Sequence, residues 1–359
     1  MKLPLPVGAR FAVSRRRAKI ALTFLLLMAV AWPTLAADRV TLTILHTNDL
    51  HGMMLPFDYD DWEGFFKAQQ PSIGGMARRA SLVKRIRGET PNLAVVDAGD
   101  VFSRGPWHEK WYGVPEIEAM NLMGYDLIVV GNNEVKPIWD NPKSKEMMLA
   151  LMRRSRFPWL SANLTLGDGP PPGCDDLAPV EGIHPFIVRT YGDLRVGFLG
   201  LTTAACSEYT FLEGWTFADP IAAAKRWVPI ARTECDIIIV VTHIGDDWDR
   251  KLGAEVPGID AIVGGHSHTF TPQPIGVRGP EGRTVPVVQA GEKGVVLGRF
   301  DLTFERTDSP SGAVWKLAGA NETLMPIMPD IPEDAAVTAL LERYLAASAP
   351  VGAAASAPR

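Results

Sequence analysis

Five short apolar runs in this chain each end on a polar or metal-binding side chain, and no other feature constrains the fold as much. Residues 40–46 run into Asn48-Asp49-Leu50-His51-Gly52, residues 92–96 into Ala98-Gly99-Asp100, and residues 126–130 into Gly131-Asn132-Asn133-Glu134. Further on, residues 236–241 run into Thr242-His243, and residues 260–263 into Gly264-Gly265-His266-Ser267-His268. β-branched runs of this length read as strands. Stretches with apolar residues near a 3.6 period fall between them at 76–87, 115–123, 145–154 and 221–232, and these read as helices. A hairpin of 187–190 and 195–199 about Tyr191-Gly192-Asp193, with closing strands at 285–289 and 298–304, adds a β-rich part. The pattern predicts an α/β sheet protein with no internal repeat.

In open α/β sheets, sites form at the carboxyl ends of the strands. Asp49, His51, Asp100, Asn132, His243, His266 and His268 meet there if the five strands are neighbours. Carboxylate, amide and imidazole donors without a thiolate suit Mn, Zn, Fe, Co or Mg. Asp49 and His51 lie two apart, as do His266 and His268, so an extended backbone would turn both members of each pair to one side. Gly52, Gly99, Gly131, Gly264 and Gly265 flank these residues and let the backbone turn sharply or admit a close approach. One Asp-x-His or Gly-Asp alone is an ordinary loop. Five such segments in order, each closing an apolar run, point to a metal site.

The N-terminus carries six bases and no acids before a 13-residue apolar stretch at 20–32 and the small residues Thr34 and Ala36. The stretch is too short to span a bilayer, so residues 1–36 read as a cleaved signal peptide. Ser14-Arg15-Arg16 is only a faint sign of the twin-arginine route. Without the leader, 30 bases face 41 acids, a net charge of −11. No basic stripe for nucleic acid, no later membrane span and no lipid-bearing cysteine remain, which implies a periplasmic or secreted protein. Residues 37–345 read as one domain, and 346–359, rich in Ala, Pro and Ser, as a disordered tail. Cys174, Cys206 and Cys235 lack metal-ligand spacing, and the loop-like settings of Cys174 and Cys206 make them the pair expected to close in an oxidising compartment.

The order His46-Thr47-Asn48-Asp49-Leu50-His51-Gly52, Gly74-Gly75-Met76-Ala77-Arg78, Gly99-Asp100, Gly131-Asn132, Thr242-His243 and Gly264-Gly265-His266-Ser267-His268 resembles the calcineurin-like metallophosphoesterases, within them the 5'-nucleotidase branch, over about residues 40–330. The resemblance implies a four-layer α/β/β/α sandwich and two divalent metal ions. Asp49, His51 and His268 would hold one, Asn132, His243 and His266 the other, and Asp100 would bridge them. Such a pair acidifies a shared water and clamps the oxyanions of the transferring group of a small phosphorylated substrate. His46, on the other face of its strand, reads as structural, as does Glu134.

Two departures from the family stand out. Where members usually carry His, with Asp three residues later, this chain has Asn133 and Lys136. An amide hydrogen-bonds a phosphoryl oxygen but delivers no proton. His108 reads as a surface histidine, with a minor alternative that it reaches the leaving group, and Lys136 or Arg104 is available as positive charge. The second departure is length: the chain ends where the branch's C-terminal domain would begin, so no nucleotide pocket from that domain is expected. Trp62, Trp107, Trp111 and Trp139 read as loop packing, with a cleft rim beside Asp58, Asp60, Asp61 and Glu63 as the alternative. Three functions compete: hydrolysis of phosphate esters, hydrolysis of a sulfur-linked group as in the similar thiosulfohydrolases, and a metal-binding pseudoenzyme acting through a protein partner.

Overall fold

The structure is a computed structural model that describes residues 39–348, apart from 61–63, 103–105, 137–143, 167–181, 209–213, 281 and 310–311. The expected leader, Cys174, Arg104, Trp62, Trp139, Asp61, Glu63 and all but the first residues of the expected tail lie outside the described residues. In chain order the strands are β1 (Arg39–Thr47), β2 (Phe57–Tyr59), β3 (Gln70–Ile73), β4 (Leu93–Asp97), β5 (Leu127–Val129), β6 (Trp159–Leu160), β7 (Leu164–Leu166), β8 (Ile183–His184), β9 (Phe186–Tyr191), β10 (Leu194–Thr202), β11 (Trp215–Phe217), β12 (Ile237–His243), β13 (Ala261–Val263), β14 (Ile275–Arg278), β15 (Thr284–Val288), β16 (Val296–Ser309) and β17 (Gly312–Pro326). Seven form one sheet in the order β17-β16-β1-β4-β5-β6-β8, and six form another in the order β14-β15-β13-β12-β10-β9.

Side-chain alternation along the strands builds the layers. Leu42 and Ile44 of β1, Ala94 and Val96 of β4, and Leu127 and Val129 of β5 point one way and pack with Phe198, Ile237, Ile239, Val241, Ala261 and Val263 of the second sheet. That cluster is the interior between the sheets. The alternate residues Leu45, Val95 and Ile128 face outward onto the helices Met76–Glu89, Val114–Met123, Ser144–Arg154 and Ala335–Ser348. On the far side Ile238, Val240 and Ile262 pack against Pro220–Ala231 and Asp246–Glu255. The result is the expected α/β/β/α sandwich. Because β1, β4 and β5 pair in parallel, as do β10, β12 and β13, the carboxyl ends within each group lie side by side.

Two helices of ten residues or more were not expected from periodicity. Asp246–Glu255 buries only Asp249, Leu252 and Gly253, too few apolar residues to make a stripe. Ala335–Ser348 buries Val337, Leu340 and Leu341 and is capped by Asp334, whose Oδ1 accepts from the backbone of Ala336 (3.0 Å) and Val337 (3.2 Å). Its alanine-rich end carries the helix three residues past Leu345, where the sequence reading ends the domain. No helix among the described residues is long and apolar enough to cross a membrane.

Candidate metal centre

The turns that follow β1, β4 and β13 hold their side chains inward by an uncommon backbone. Asp49 (φ 49°), His51 (φ 48°), Asp100 (φ 58°), His266 (φ 80°) and His268 (φ 58°) all lie in the left-handed region. That region costs a non-glycine residue of order 1 kcal/mol or more and persists only where the surroundings over-determine it. The pairs Asp49/His51 and His266/His268 therefore point together for a different reason than strand alternation: they sit on tight turns past the strand ends, and the extended-backbone explanation is corrected.

All seven expected side chains converge. Asp49 Oδ1 lies 3.2 Å from His268 Nε2 and 3.7 Å from His51 Nε2, and those two nitrogens are 3.1 Å apart. Beside them, His243 Nε2 lies 3.2 Å from Asp100 Oδ1, 3.2 Å from Asn132 Oδ1 and 3.3 Å from His266 Nδ1. Asp49 Oδ1 is 4.0 Å from His243 Nε2, so this carboxylate belongs to both of the compact donor groups, Asp49-His51-His268 and Asp49-Asp100-His243.

Three of the four site imidazoles meet a partner at the outward-facing nitrogen. His243 Nδ1 is 2.8 Å from the Ala98 carbonyl, His268 Nδ1 is 3.1 Å from Glu292 Oε2, and His51 Nδ1 is 3.0 Å from the Asn133 side-chain amide. The two acceptors hold a proton on Nδ1 and free Nε2 for an ion, whereas the Asn133 NH2 donates to His51 Nδ1. Glu292, 3 % exposed, escaped the sequence reading, as did Gln289. Gln289 donates to the Gly265 carbonyl at 3.1 Å and accepts from the Thr269 amide at 2.5 Å, which fixes the His266–His268 turn. Glu134 is structural as expected: it accepts from the backbone N–H groups of Asp100, Val101, Phe102 and Gly131, tying the β4 and β5 turns together. Gly131 permits this, because a Cβ there would sit 2.3 Å from the Asp100 amide nitrogen.

The donor set fits cations. Asp49 Oδ1 is buried yet accepts no well-formed hydrogen bond, and one end of the Asn132 side-chain amide lies within 3.2 Å of the ring nitrogens of His243 and His266. Lone pairs aimed at one another call for positive charge between them. Burial works against charging His243 and His268, but Asp100 and Asp49 push the first up to about 10, and Asp49 and Glu292 push the second to a similar value. Burial holds His51 and His266 below their ordinary value, the latter at about 4 with His243 adding to the effect. The cluster thus offsets its two carboxylates with protons on two imidazoles, a role divalent ions would take over.

Other candidates lie elsewhere. His46 points into the interior, 3.0 Å from Glu322 Oε1, and takes no part. His108 is not a surface residue: it is 6 % exposed, stacked on Phe102 at 5.4 Å, and burial lowers it to about 4. Trp107 packs against the outer core and Trp111 meets Tyr344 edge-on. Cys206 is buried, its expected partner Cys174 lies outside the described residues, and Cys235 donates to the Ala231 carbonyl.

Known proteins are similar to this chain in sequence and in fold. Rattus norvegicus 5'-nucleotidase is 34 % identical over 294 residues, covering 76 % of this chain and 48 % of its own length. The 5'-nucleotidase precursor of Thermus thermophilus superposes with a TM-score of 0.71 at 28 % identity, over 86 % of this chain and 59 % of that one. The sulfate thiohydrolase SoxB of the same genus and species shares the fold, with a TM-score of 0.68 at 20 % identity over 85 % of this chain and 60 % of that one. The chain spans about half the length of the curated 5'-nucleotidases it matches. Residues 42–270 match the calcineurin-like phosphoesterase family, and the chain belongs to that family of metal-dependent phosphoester hydrolases.

Proposed function

We propose that this chain is an exported hydrolase of small phosphate esters working with two divalent ions. Asp49, His51 and His268 hold one, Asn132, His243 and His266 the other, and Asp100 is shared. The observation that carries the reading is the buried, unpartnered Asp49 Oδ1 facing the convergent nitrogens of His51, His243 and His268. Mn, Zn, Fe, Co and Mg all suit such donors. Bound there, the ions supply Lewis acidity toward the phosphoryl oxygens and an acidified water. The chain's own residues aim the ligands through Glu292 and Ala98, and shape the turns through Glu134 and Gln289. Asn133 is the residue nearest the family's acid position, and its amide hydrogen-bonds a phosphoryl oxygen without donating a proton. Residues 1–36 form the leader for the periplasm or exterior and 37–345 the catalytic domain, whose last helix runs on to Ser348 ahead of the tail.

Elemental analysis after reconstitution with Mn should return close to two ions per chain. Asp100→Ala should lose most of both and His266→Ala one, so the carboxylate whose removal empties both sites is the bridge. A stoichiometry of one or none in folded protein would overturn the reading. A screen of the loaded protein against phosphomonoesters, phosphodiesters and thiosulfate-type adducts separates the chemistries: turnover only of the last favours sulfur chemistry, and none at all a pseudoenzyme.

A further inference from the structure

Lys136 stands immediately after the short helix Asn132–Val135, with its backbone N–H on the Asn132 carbonyl at 3.0 Å. Its ammonium returns to the same residue, because Nζ lies 2.8 Å from one end of the Asn132 side-chain amide.

The Asn132 amide has two settings with opposite consequences. In one, its oxygen faces His243 Nε2 at 3.2 Å and His266 Nδ1 at 2.8 Å, the setting a ligand to the second ion requires, and its NH2 then lies against the Lys136 ammonium. Donor against donor is repulsive. Turned over, the amide NH2 donates to the neutral His266 Nδ1 at 2.8 Å, and its oxygen accepts from Lys136 Nζ at 2.8 Å and the Asn133 amide at 3.2 Å. The amide oxygen is then held by the ammonium without an ion. The two settings exclude each other, since one oxygen cannot face both the imidazoles and the ammonium.

We propose that Lys136 is a built-in competitor of the second metal ion, its ammonium holding the Asn132 oxygen when that ion is absent and giving it up when the ion binds. The inference rests on the two-metal reading above. Its consequence is an unequal pair: the Asp49-His51-His268 ion binds tightly and the Asn132-His243-His266 ion weakly. The size of the effect follows from charge. Even at the dielectric of water, a unit charge roughly 6 Å from a divalent ion weakens binding by about tenfold.

The test is calorimetric titration of chelator-stripped protein with Mn2+, comparing wild type with Lys136→Met, Lys136→Gln and Lys136→Arg, with folding checked by circular dichroism. A His268→Ala background isolates the second ion. Both neutral variants should tighten the weaker event by about tenfold or more while leaving the tighter event within about twofold, and Lys136→Arg, which keeps the charge, should stay near wild type. The inference is overturned if a folded neutral variant leaves the weaker event unchanged or weakens it, or if Lys136→Arg tightens it as much as Lys136→Met. Two events insensitive to Lys136 remove this inference alone. No event in any variant removes it together with the two-metal reading.

Discussion

At the scale of single residues, Asn133 separates what the metals do from what a proton donor does. Charge stabilisation and an activated water need neither Asn133 nor Lys136. A positioned acid contributes about 10² to 10⁴ in rate, most for basic leaving groups. Nitrophenyl esters should therefore be cleaved readily, and AMP and alkyl monoesters poorly. Asn133→His with Lys136→Asp should raise kcat/KM on alkyl esters far more than on nitrophenyl esters. Any gain from tighter metal binding applies to both classes and cancels in the ratio, so equal gains would count against a missing acid. The donor residues were legible because a ligand must be a particular side chain. Their outer partners were not: the Ala98 carbonyl has no side-chain signature, and Glu292 lies 24 residues past His268 with no motif linking them.

Among elements, the β4 and β5 turns depend on one carboxylate. Glu134 Oε1 accepts from Val101 and Phe102, and Oε2 from Asp100 and Gly131. In Glu134→Gln one oxygen becomes an NH2 facing two N–H donors, each stranded donor costing roughly 1–3 kcal/mol. The expected outcome is a lower Tm and weaker Mn2+ binding, because Asp100 moves with its turn; an unchanged metal affinity would show that the turns hold without the link. Strands and amphipathic helices were legible from their periods, since burial on one face imposes them. The long hairpin of β16 and β17 was only half anticipated, because its second strand mixes Gly, Ala, Asn and Glu with few β-branched residues.

Stability against pH belongs to the whole molecule. Glu116, in the first turn of Val114–Met123, is fully buried with neither oxygen partnered among the described residues, and burial pushes it from 4.5 up to about 7. Below pH 4.5 it is protonated folded or unfolded and makes no difference. As pH rises from there to about 7 the unfolded chain ionises first, so stability falls, and above about 7 the loss is complete. Glu116→Gln should raise Tm at pH 8, through a gain in stability of roughly 3 kcal/mol at most, and leave it unchanged near pH 4. An equal effect at both pH values would point to packing rather than protonation.

The donors come from both sheets: Asp49, His51, Asp100 and Asn132 from turns of the seven-stranded one, His243, His266 and His268 from turns of the six-stranded one. A bound ion pair is therefore a rivet between two plates otherwise joined by an oil-like seam, and it closes loops such as the 111-residue span from Asn132 to His243. Its removal should loosen one rim of the seam. Ions at a hundredfold excess over Kd add about 2.7 kcal/mol. On chelation, hydrogen exchange should quicken at the carboxyl ends of β1, β4, β12 and β13 while the β16–β17 hairpin keeps its protection. Uniform quickening would mean that the ions hold the whole sandwich and not its rim. Because the rivet joins the plates at one rim only, a metal-starved chain keeps its shape but breathes at the edge where substrate enters.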